Sequence, residues 1–436
     1  MPAPETSDRA DPIAQLLAGT YPDPETGELL HAEAKAVVIE DSLAGTEEDL
    51  IAQLGIVGNG DRIAVVSDPA THAVLGARVE TALGERFTVQ SIVLDAPRAD
   101  DVTVAKLLAT LAPHTQLVIA VGTGTLNDLT KMAAFRHGCP SAVFATAPSM
   151  NGYTSLSASI TTDGVKTSFR TRTPVGVYFD LKVLAAAPPR LIRAGLGDSA
   201  CHSTAQADWL LQHLLLDRPY REAPFALLAS DERDVLAHSA ALLAGDLEVM
   251  RHLVRTLVLS GFGMTICNGS YPASQGEHLL AHYVGMMGAG VPPTFHGEQI
   301  AACTAAMAAL QEQLIERDAP PVLRPSTITR DDVIGHFGPL MGPACWAEYE
   351  QKRFDAATTD ALNDRLERNW NEIRRRIRGV SIPHTKLRAS LENAGAPVEP
   401  TQLGWPDEVW RNARVHAREI RNRYTFLDLA CDSEEK

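Results

Sequence analysis

Between Lys35 and Asp180, short β-branched apolar runs alternate with amphipathic stretches. "AKAVVIED", "DRIAVVSD", "FTVQSIVLD", "QLVIAVGTG" and "PSAVFAT" have the length and composition of buried strands. "PATHAVLGARVETALGE" and "ADDVTVAKLLATLA", which lie between them, place apolar residues at helical spacing. Such alternation predicts parallel strands joined by helical crossovers, an α/β layer of the nucleotide-binding type. At "AAAPPRLIRAGLGD" the pattern stops on Pro188 and Pro189, and the chain beyond is nearly all helical, as in "EQIAACTAAMAALQEQLIER" and "TDALNDRLERNWNEIRRRIRG". The expected organisation is an N-terminal α/β dinucleotide-binding domain with a parallel sheet over 1–188 and an all-α C-terminal metal-binding domain over 189–436.

Composition narrows the setting. The 436 residues are 45% hydrophobic and 21% charged, enough apolar material for two packed cores. Asp and Glu outnumber Lys and Arg by 54 to 39, and no basic block stands apart, so nucleic acid is excluded as a partner. No apolar run approaches the ~20 residues that span a bilayer, and "MPAPETSDRADP" lacks the basic and apolar regions of a signal peptide. A cytoplasmic protein with a small-molecule substrate and no membrane partner is expected, and a homo-oligomer is compatible with the sequence. The six cysteines are scattered without a CxxC pair, which argues against a zinc ribbon and a disulfide framework.

Two stretches carry candidate chemistry. In "LVIAVGTGTLNDLTKMAAF" a strand turns into a helix at Gly122 and Gly124, where the backbone can approach a diphosphate and the first helical amides can donate to it. The third glycine of the common dinucleotide fingerprint is missing, and a plain tight turn explains the same residues. Asp68 follows the strand "IAVVS", where a carboxylate would accept from an adenosine ribose and repel a 2′-phosphate; a helix-start role is the alternative. Together the two features favour NAD, with NADP as the alternative. The second stretch is "SYPASQGEHLLAHYVGMMGAGVPPTFHGEQ". His278 and His282 share a helix face at a spacing of four, His296 opens the next helix, and Asp198 in "GLGDSACHSTAQADW" offers a carboxylate. One Asp and two His would leave open positions on a divalent ion, as a catalytic site requires. Spacing alone leaves the choice between ligands and packed histidines open.

"VGTGTLNDLTK", "TAPSMNGYTS", "GLGDSACHSTAQADW", "SYPASQGEHLLAHY", "HGEQ" and "IRNRYTFLDLA" occur in one order. In this the chain resembles the glycerol-1-phosphate dehydrogenase family, within the group of glycerol dehydrogenase, iron-containing alcohol dehydrogenases and 3-dehydroquinate synthase. The resemblance runs from about Lys35 to Cys431 and implies the dehydroquinate synthase-like two-domain fold. It implies reduction of dihydroxyacetone phosphate to glycerol 1-phosphate with NAD(P)H and one divalent metal, zinc in first place and nickel or iron as alternatives. Carried over by motif, the loop from Gly122 through Gly124 and Thr125 to Asp128 holds the cofactor diphosphate, with Thr146, Ser149 and Ser155 near the dinucleotide and Asp68 at the ribose. Asp198, His278 and His296 match the metal ligands. His282 matches a position beside the substrate, suited to relaying a proton because an unperturbed imidazole titrates near pH ~6.5. Three positions depart from the pattern: Asn151 stands where the family commonly has Asp, Tyr271 where Arg is expected, and His202 where Lys is expected. They bear on the substrate, and Lys166, Arg170 and Arg172 in "DGVKTSFRTRT" form a candidate cationic cluster for a phosphate. A lyase or cyclase of the 3-dehydroquinate synthase kind, and a dehydrogenase for an unphosphorylated polyol or carbonyl compound, are the competing readings.

Overall fold

The computed structural model describes residues 11–162 and 165–433. After a short antiparallel ribbon, β1 (Tyr21–Pro22) with β2 (Leu29–Leu30), the chain lays down β3 (Ala36–Glu40), β4 (Arg62–Ser67), β5 (Thr88–Val93), β6 (Leu117–Gly122) and β7 (Ser141–Ala145). A hairpin of β8 (Ser157–Thr162) and β9 (Val165–Arg170) comes next, then β10 (Gly176–Asp180). Six strands form one parallel sheet in the order β3-β10-β7-β6-β4-β5. Five of them are the apolar runs of the sequence; β10, from "GVYFD", is the addition and fills the place between β3 and β7. β6, β7 and β10 are buried at every residue, as strands covered by helices on both faces must be.

From β4 the chain moves outward to β5 and then returns to the other side of β4 as β6. The connections leaving β4 and β6 therefore diverge, and a crevice opens beyond their carboxyl ends at this switch point. Asp68 comes directly after β4, and Gly122 ends β6. Topology has brought together two residues that are 54 positions apart in the sequence.

Packing divides the chain into two bodies: Met1–Pro188 with Glu222–Asp231 and Gly245–Asn268, and Pro189–Arg221 with Glu232–Ala244 and Gly269–Lys436. A single cut at 188 assigns both returning segments to the helical domain, and here the structure differs. Helix Leu247–Ile266 belongs to the first body because its backbone and side chains are bonded there. Thr154 Oγ1 donates to Val258 O at 2.7 Å, and Arg251 Nη1 donates to Ile39 O at 2.6 Å.

The second body is a helical core in which Leu210, Leu279, Ile300, Met307, Leu366, Trp370 and Phe426 are buried in one cluster. Helix Ala356–Val380 contributes Leu362, Leu366, Trp370, Ile373 and Ile377, the three-and-four spacing its sequence shows. Asp208 of "QADW" lies at the centre. Its Oδ1 accepts from Phe426 N at 2.9 Å and Gln311 Nε2 at 3.1 Å, and its Oδ2 accepts from Gly276 N at 2.9 Å. Burial, with the nearby Glu277 charge, pushes this carboxyl up to about 8 despite those donors. Three separate sequence motifs thus meet on one side chain. Asp208→Ala strands two buried amides, each worth about 1–3 kcal/mol when unsatisfied, so the helical body should melt several degrees lower, as read by circular dichroism.

Candidate functional site

A candidate cofactor site lies in the α/β body at the switch point. Gly122 closes β6, Thr123 is the N-cap residue, and helix Gly124–His137 starts at once, with no acidic side chain in its first turn. Thr123 does not cap the helix with its side chain. Its hydroxyl instead meets Ser149 Oγ and accepts from Tyr153 OH at 3.1 Å. The first amides of the helix are left for an anion, which the helix dipole also favours. Gly122 is demanded by packing, since a Cβ there would run into the Leu126 side chain. Thr146 N donates to Gly122 O at 3.1 Å, so the loop after β7 is tied to the glycine turn.

The remaining expected cofactor residues fall into two groups. Thr125 is exposed at the head of the helix and Ser149 stands beside Thr123, both open to a ligand on the loop. Asp128 and Ser155 instead face inward. Asp128 Oδ2 accepts from Ser159 N at 3.0 Å, and Ser155 Oγ accepts from Lys131 Nζ at 3.2 Å and donates to Gly152 O at 3.0 Å. Asp68 is half-buried, and its Oδ1 accepts from Thr71 N at 2.8 Å, so one oxygen serves as the helix-start cap. Lys131, which no sequence pattern singles out, proves central to this region. It is buried, donates to Gly152 O at 3.3 Å and Ser157 O at 2.5 Å, and is driven down to about 8 by burial, against the Asp128 charge. It pins the loop that carries Asn151. The proposed cationic cluster does not gather: Arg170 donates to Asn268 Oδ1 at 2.8 Å, and the Arg172 guanidinium lies 5.8 Å from the Phe135 ring centroid. The Lys166 side chain lies outside the described residues.

A candidate metal site lies in the helical body. Asp198 sits in helix Pro189–Ala200, His278 in Gly276–Met287, and His296 is the first residue of His296–Ile315. Asp198 Oδ1 is 3.9 Å from His278 Nε2 and 3.8 Å from His296 Nε2. Atoms at that separation can all reach one cation at ordinary ligand distances of about 2.0–2.2 Å. Asp198 and His278 are buried while the His296 side chain is 37% exposed, so the cluster has an open side. The backing is equally directed. His278 Nδ1 donates to Glu277 Oε1 at 2.9 Å, which leaves Nε2 with its lone pair toward Asp198. Burial alone would raise Glu277, but the bonds from His278 and Gln275 N outweigh it and hold the carboxyl below its usual range. His282 completes the group, its ring centroid 5.7 Å from that of His278 and 5.9 Å from that of His296. A cluster of Cys201, Glu277 and His278 also has ligand-like spacing. Burial, with the Glu277 and Asp198 charges, lifts the Cys201 thiol well above its usual range.

A contact that spacing could not reveal sets these distances. Helices Pro189–Ala200 and His296–Ile315 cross with backbones touching: a Cβ on Gly197 would overlap Gly297 O, and a Cβ on Gly297 would overlap Ala194 O. Each glycine is the immediate neighbour of a candidate ligand. Glu298 of "HGEQ" ties the same crossing from its end, forming a two-point pair with Arg190 at 2.8 Å for both bonds and accepting from Phe295 N at 2.9 Å. It is therefore a cap and a strut. The two departures in this body are also located. His202 is buried with Nδ1 3.5 Å from Glu232 Oε1, and Tyr271 stacks on Trp209 at 5.6 Å between centroids.

The profile of the iron-containing alcohol dehydrogenases matches residues 38–188. Solved structures of that kind share the fold over nearly the whole chain. The NADH-dependent butanol dehydrogenase A of Thermotoga maritima superposes with a TM-score of 0.60 at 12% identity, covering 93% of this chain and 98% of that one. The protein is thus of the metal-dependent, NAD(P)-linked alcohol dehydrogenase class. Closer similarity is to glycerol-1-phosphate dehydrogenases [NAD(P)+]. That of Bacillus velezensis is 32% identical over 302 residues, 66% of this chain and 74% of the relative. That of Halalkalibacterium halodurans is 34% identical over 256 residues, 57% of this chain and 64% of the relative. The chain belongs to the glycerol-1-phosphate dehydrogenase family.

The helix crossing can be tested separately from the ligands. Gly297→Ala forces the two helices apart, an overpacking that costs about 1–3 kcal/mol, and displaces His296 from Asp198. Retained metal, measured by elemental analysis after gel filtration, should fall well below one equivalent while NADH binding by fluorescence persists.

Proposed function

We propose that the chain interconverts dihydroxyacetone phosphate and glycerol 1-phosphate, with Asp198, His278 and His296 holding one divalent ion, zinc in first place and nickel or iron as alternatives. The observation that carries this reading is the Asp198, His278 and His296 spacing, with Glu277 behind His278. An oxygen and two imidazole nitrogens suit a borderline divalent metal, and each of the three metals accepts such a set. In that role the bound ion supplies Lewis acidity to the substrate oxygen, and the nicotinamide supplies or accepts the hydride.

The chain's own residues supply the rest. Glu277 fixes the His278 ring and its tautomer. His282, beside both candidate imidazole ligands, holds or relays the proton at the substrate oxygen. Asn151 orients the substrate with an amide that donates as well as accepts, where a carboxylate would only accept. The amides at Gly124 and Thr125 receive the cofactor diphosphate, Thr146 and Ser149 shape that loop, and Asp128 and Ser155 support it from below. Asp68 has its second carboxylate oxygen for the ribose, so NAD is the preferred cofactor.

Three experiments test this. With metal supplied, NADH oxidation should be far faster with dihydroxyacetone phosphate than with dihydroxyacetone or larger hydroxyketones. His278→Ala should lose both metal and turnover while NADH still binds; better turnover of an unphosphorylated carbonyl compound removes the substrate but leaves the enzyme class. For the cofactor, kcat/KM should favour NADH over NADPH, and Asp68→Gly should narrow the gap. Equal use of both cofactors by the unaltered protein would show that Asp68 serves only as a cap.

A further inference from the structure

"RNRYTFLDLA" carries two arginines, Arg421 and Arg423, whose surroundings differ from those of their neighbours. Arg418, a few residues earlier, is paired with Asp432 and Asp428, and buried Lys352 is paired with Asp428 at 2.8 Å. Neither Arg421 nor Arg423 has a carboxylate oxygen within 4.0 Å among the described residues. Arg423 is buried, and the groups it bonds directly are neutral. It donates to Ser274 O and to Ser270 Oγ, the latter at 2.9 Å, and its guanidinium lies 4.7 Å from the Tyr271 ring centroid. Tyr271 in turn stacks on Trp209, with 22° between the planes. Burial brings Arg423 down to about 9, and the Arg421 charge adds to the effect. Arg421 is half-buried, its guanidinium donates to no described group, and burial lowers it too.

Glu348, whose Oε2 accepts from Asn422 N at 3.1 Å, acts on both arginines from a distance, but neither guanidinium has a carboxylate bonded to it among the described residues. Two like charges withdrawn from water without a directly bonded counter-charge are costly, and the cost is relieved when an anion arrives. A phosphate monoester fits the requirement: a guanidinium presents a planar fork matched to two of its oxygens. The location fits as well. The Ser270–Ser274 segment that holds Arg423 runs directly into helix Gly276–Met287, which carries Glu277 and His278, and the Glu277 charge acts on Arg423. Tyr271, where the family resemblance places an arginine, here serves as the plate against which Arg423 is stacked.

Resting on the triose-phosphate reading, we propose that Arg421, backed by Arg423 on the Tyr271 plate, binds the substrate phosphate and determines the preference for a phosphorylated substrate. Arg170 and Arg172, bonded or stacked within the α/β body, are not needed for this.

The full-length protein is assayed with saturating NADH and added metal on dihydroxyacetone phosphate and dihydroxyacetone, alongside Arg421→Gln and Arg421→Lys. Arg421→Gln should lower the ratio of kcat/KM for the phosphorylated over the unphosphorylated ketone ten-fold or more, chiefly through KM, and Arg421→Lys should recover part of it. Inorganic phosphate, used as a competitive inhibitor with either ketone, should lose potency by a similar factor in the glutamine variant. Losses that are equal on both ketones, or phosphate inhibition unchanged by the substitution, overturn the proposal, since a purely structural arginine would behave so. A wild-type protein without preference for the phosphorylated ketone defeats the substrate reading alone, and the phosphate inhibition series then decides the anion site. Should Arg421→Gln fail to fold, Arg421→Lys keeps the charge but loses the fork: a ratio several-fold lower supports the proposal, and an unchanged ratio overturns it.

Discussion

The candidate metal site of the helical body depends on one close approach, the crossing of helices Pro189–Ala200 and His296–Ile315 at Gly197 and Gly297. Side chains normally hold helix axes about 8–10 Å apart. Removing them at the crossing lets backbone touch backbone, and it does so beside Asp198 and His296. The run "AACTAAMAAL" that continues the second helix is almost all small, so the approach is sustained beyond the crossing. Arg190 and Glu298 then clamp the end. A separation fixed by backbone contact is stiff, and a metal site needs that stiffness because ligand distances must hold within a few tenths of an ångström.

The ordered motifs of the chain are held together by buried polar groups rather than by adjacency. Asp208 takes one amide from the segment leading to His278 and one from "YTFLD", and Asp428 of that motif accepts from Thr425 N at 2.8 Å while pairing with Lys352. Glu277 receives His278 and the Gln275 amide. Asp208, Asp428 and Glu277 thus have their donors, as low-dielectric surroundings require. Arginines 421 and 423 differ in having no carboxylate bonded to them among the described residues, and the charge of Glu348 reaches both only from a distance.

In the α/β body the decisive constraint is topological. Because β5 lies on one side of β4 and β6 on the other, the loops after β4 and β6 part company, and Asp68 and the glycine turn follow neighbouring strands at this point. Lys131 holds the far wall of that turn from inside, through Gly152, Ser155 and Ser157. A buried lysine among carbonyl and hydroxyl oxygens is satisfied without a direct ion pair, and its helix, buried on most sides, offers no periodicity that would mark it out.

Five of the six sheet strands, the long amphipathic helices and the cluster of Asp198, His278, His282 and His296 were legible in the sequence, because each comes from local periodicity or from an ordered set of motifs. What local pattern does not encode is which distant groups share a buried volume. Strand β10 joins the sheet only by pairing with β3 and β7, and helix Leu247–Ile266 reads as part of the helical half until its bonds to Thr154 and Ile39 place it with the first body. Asp128 and Ser155 occur in a cofactor motif, but their side chains turn inward to support the loop. Glu298 has the composition of a ligand and the geometry of a cap. The sequence by itself determined which residue types stand ready and on which elements, since helix and strand periods are properties of neighbouring positions. Tertiary structure alone decided their distances, partners and charge balance, because those depend on backbone approach and desolvation among residues tens to hundreds of positions apart.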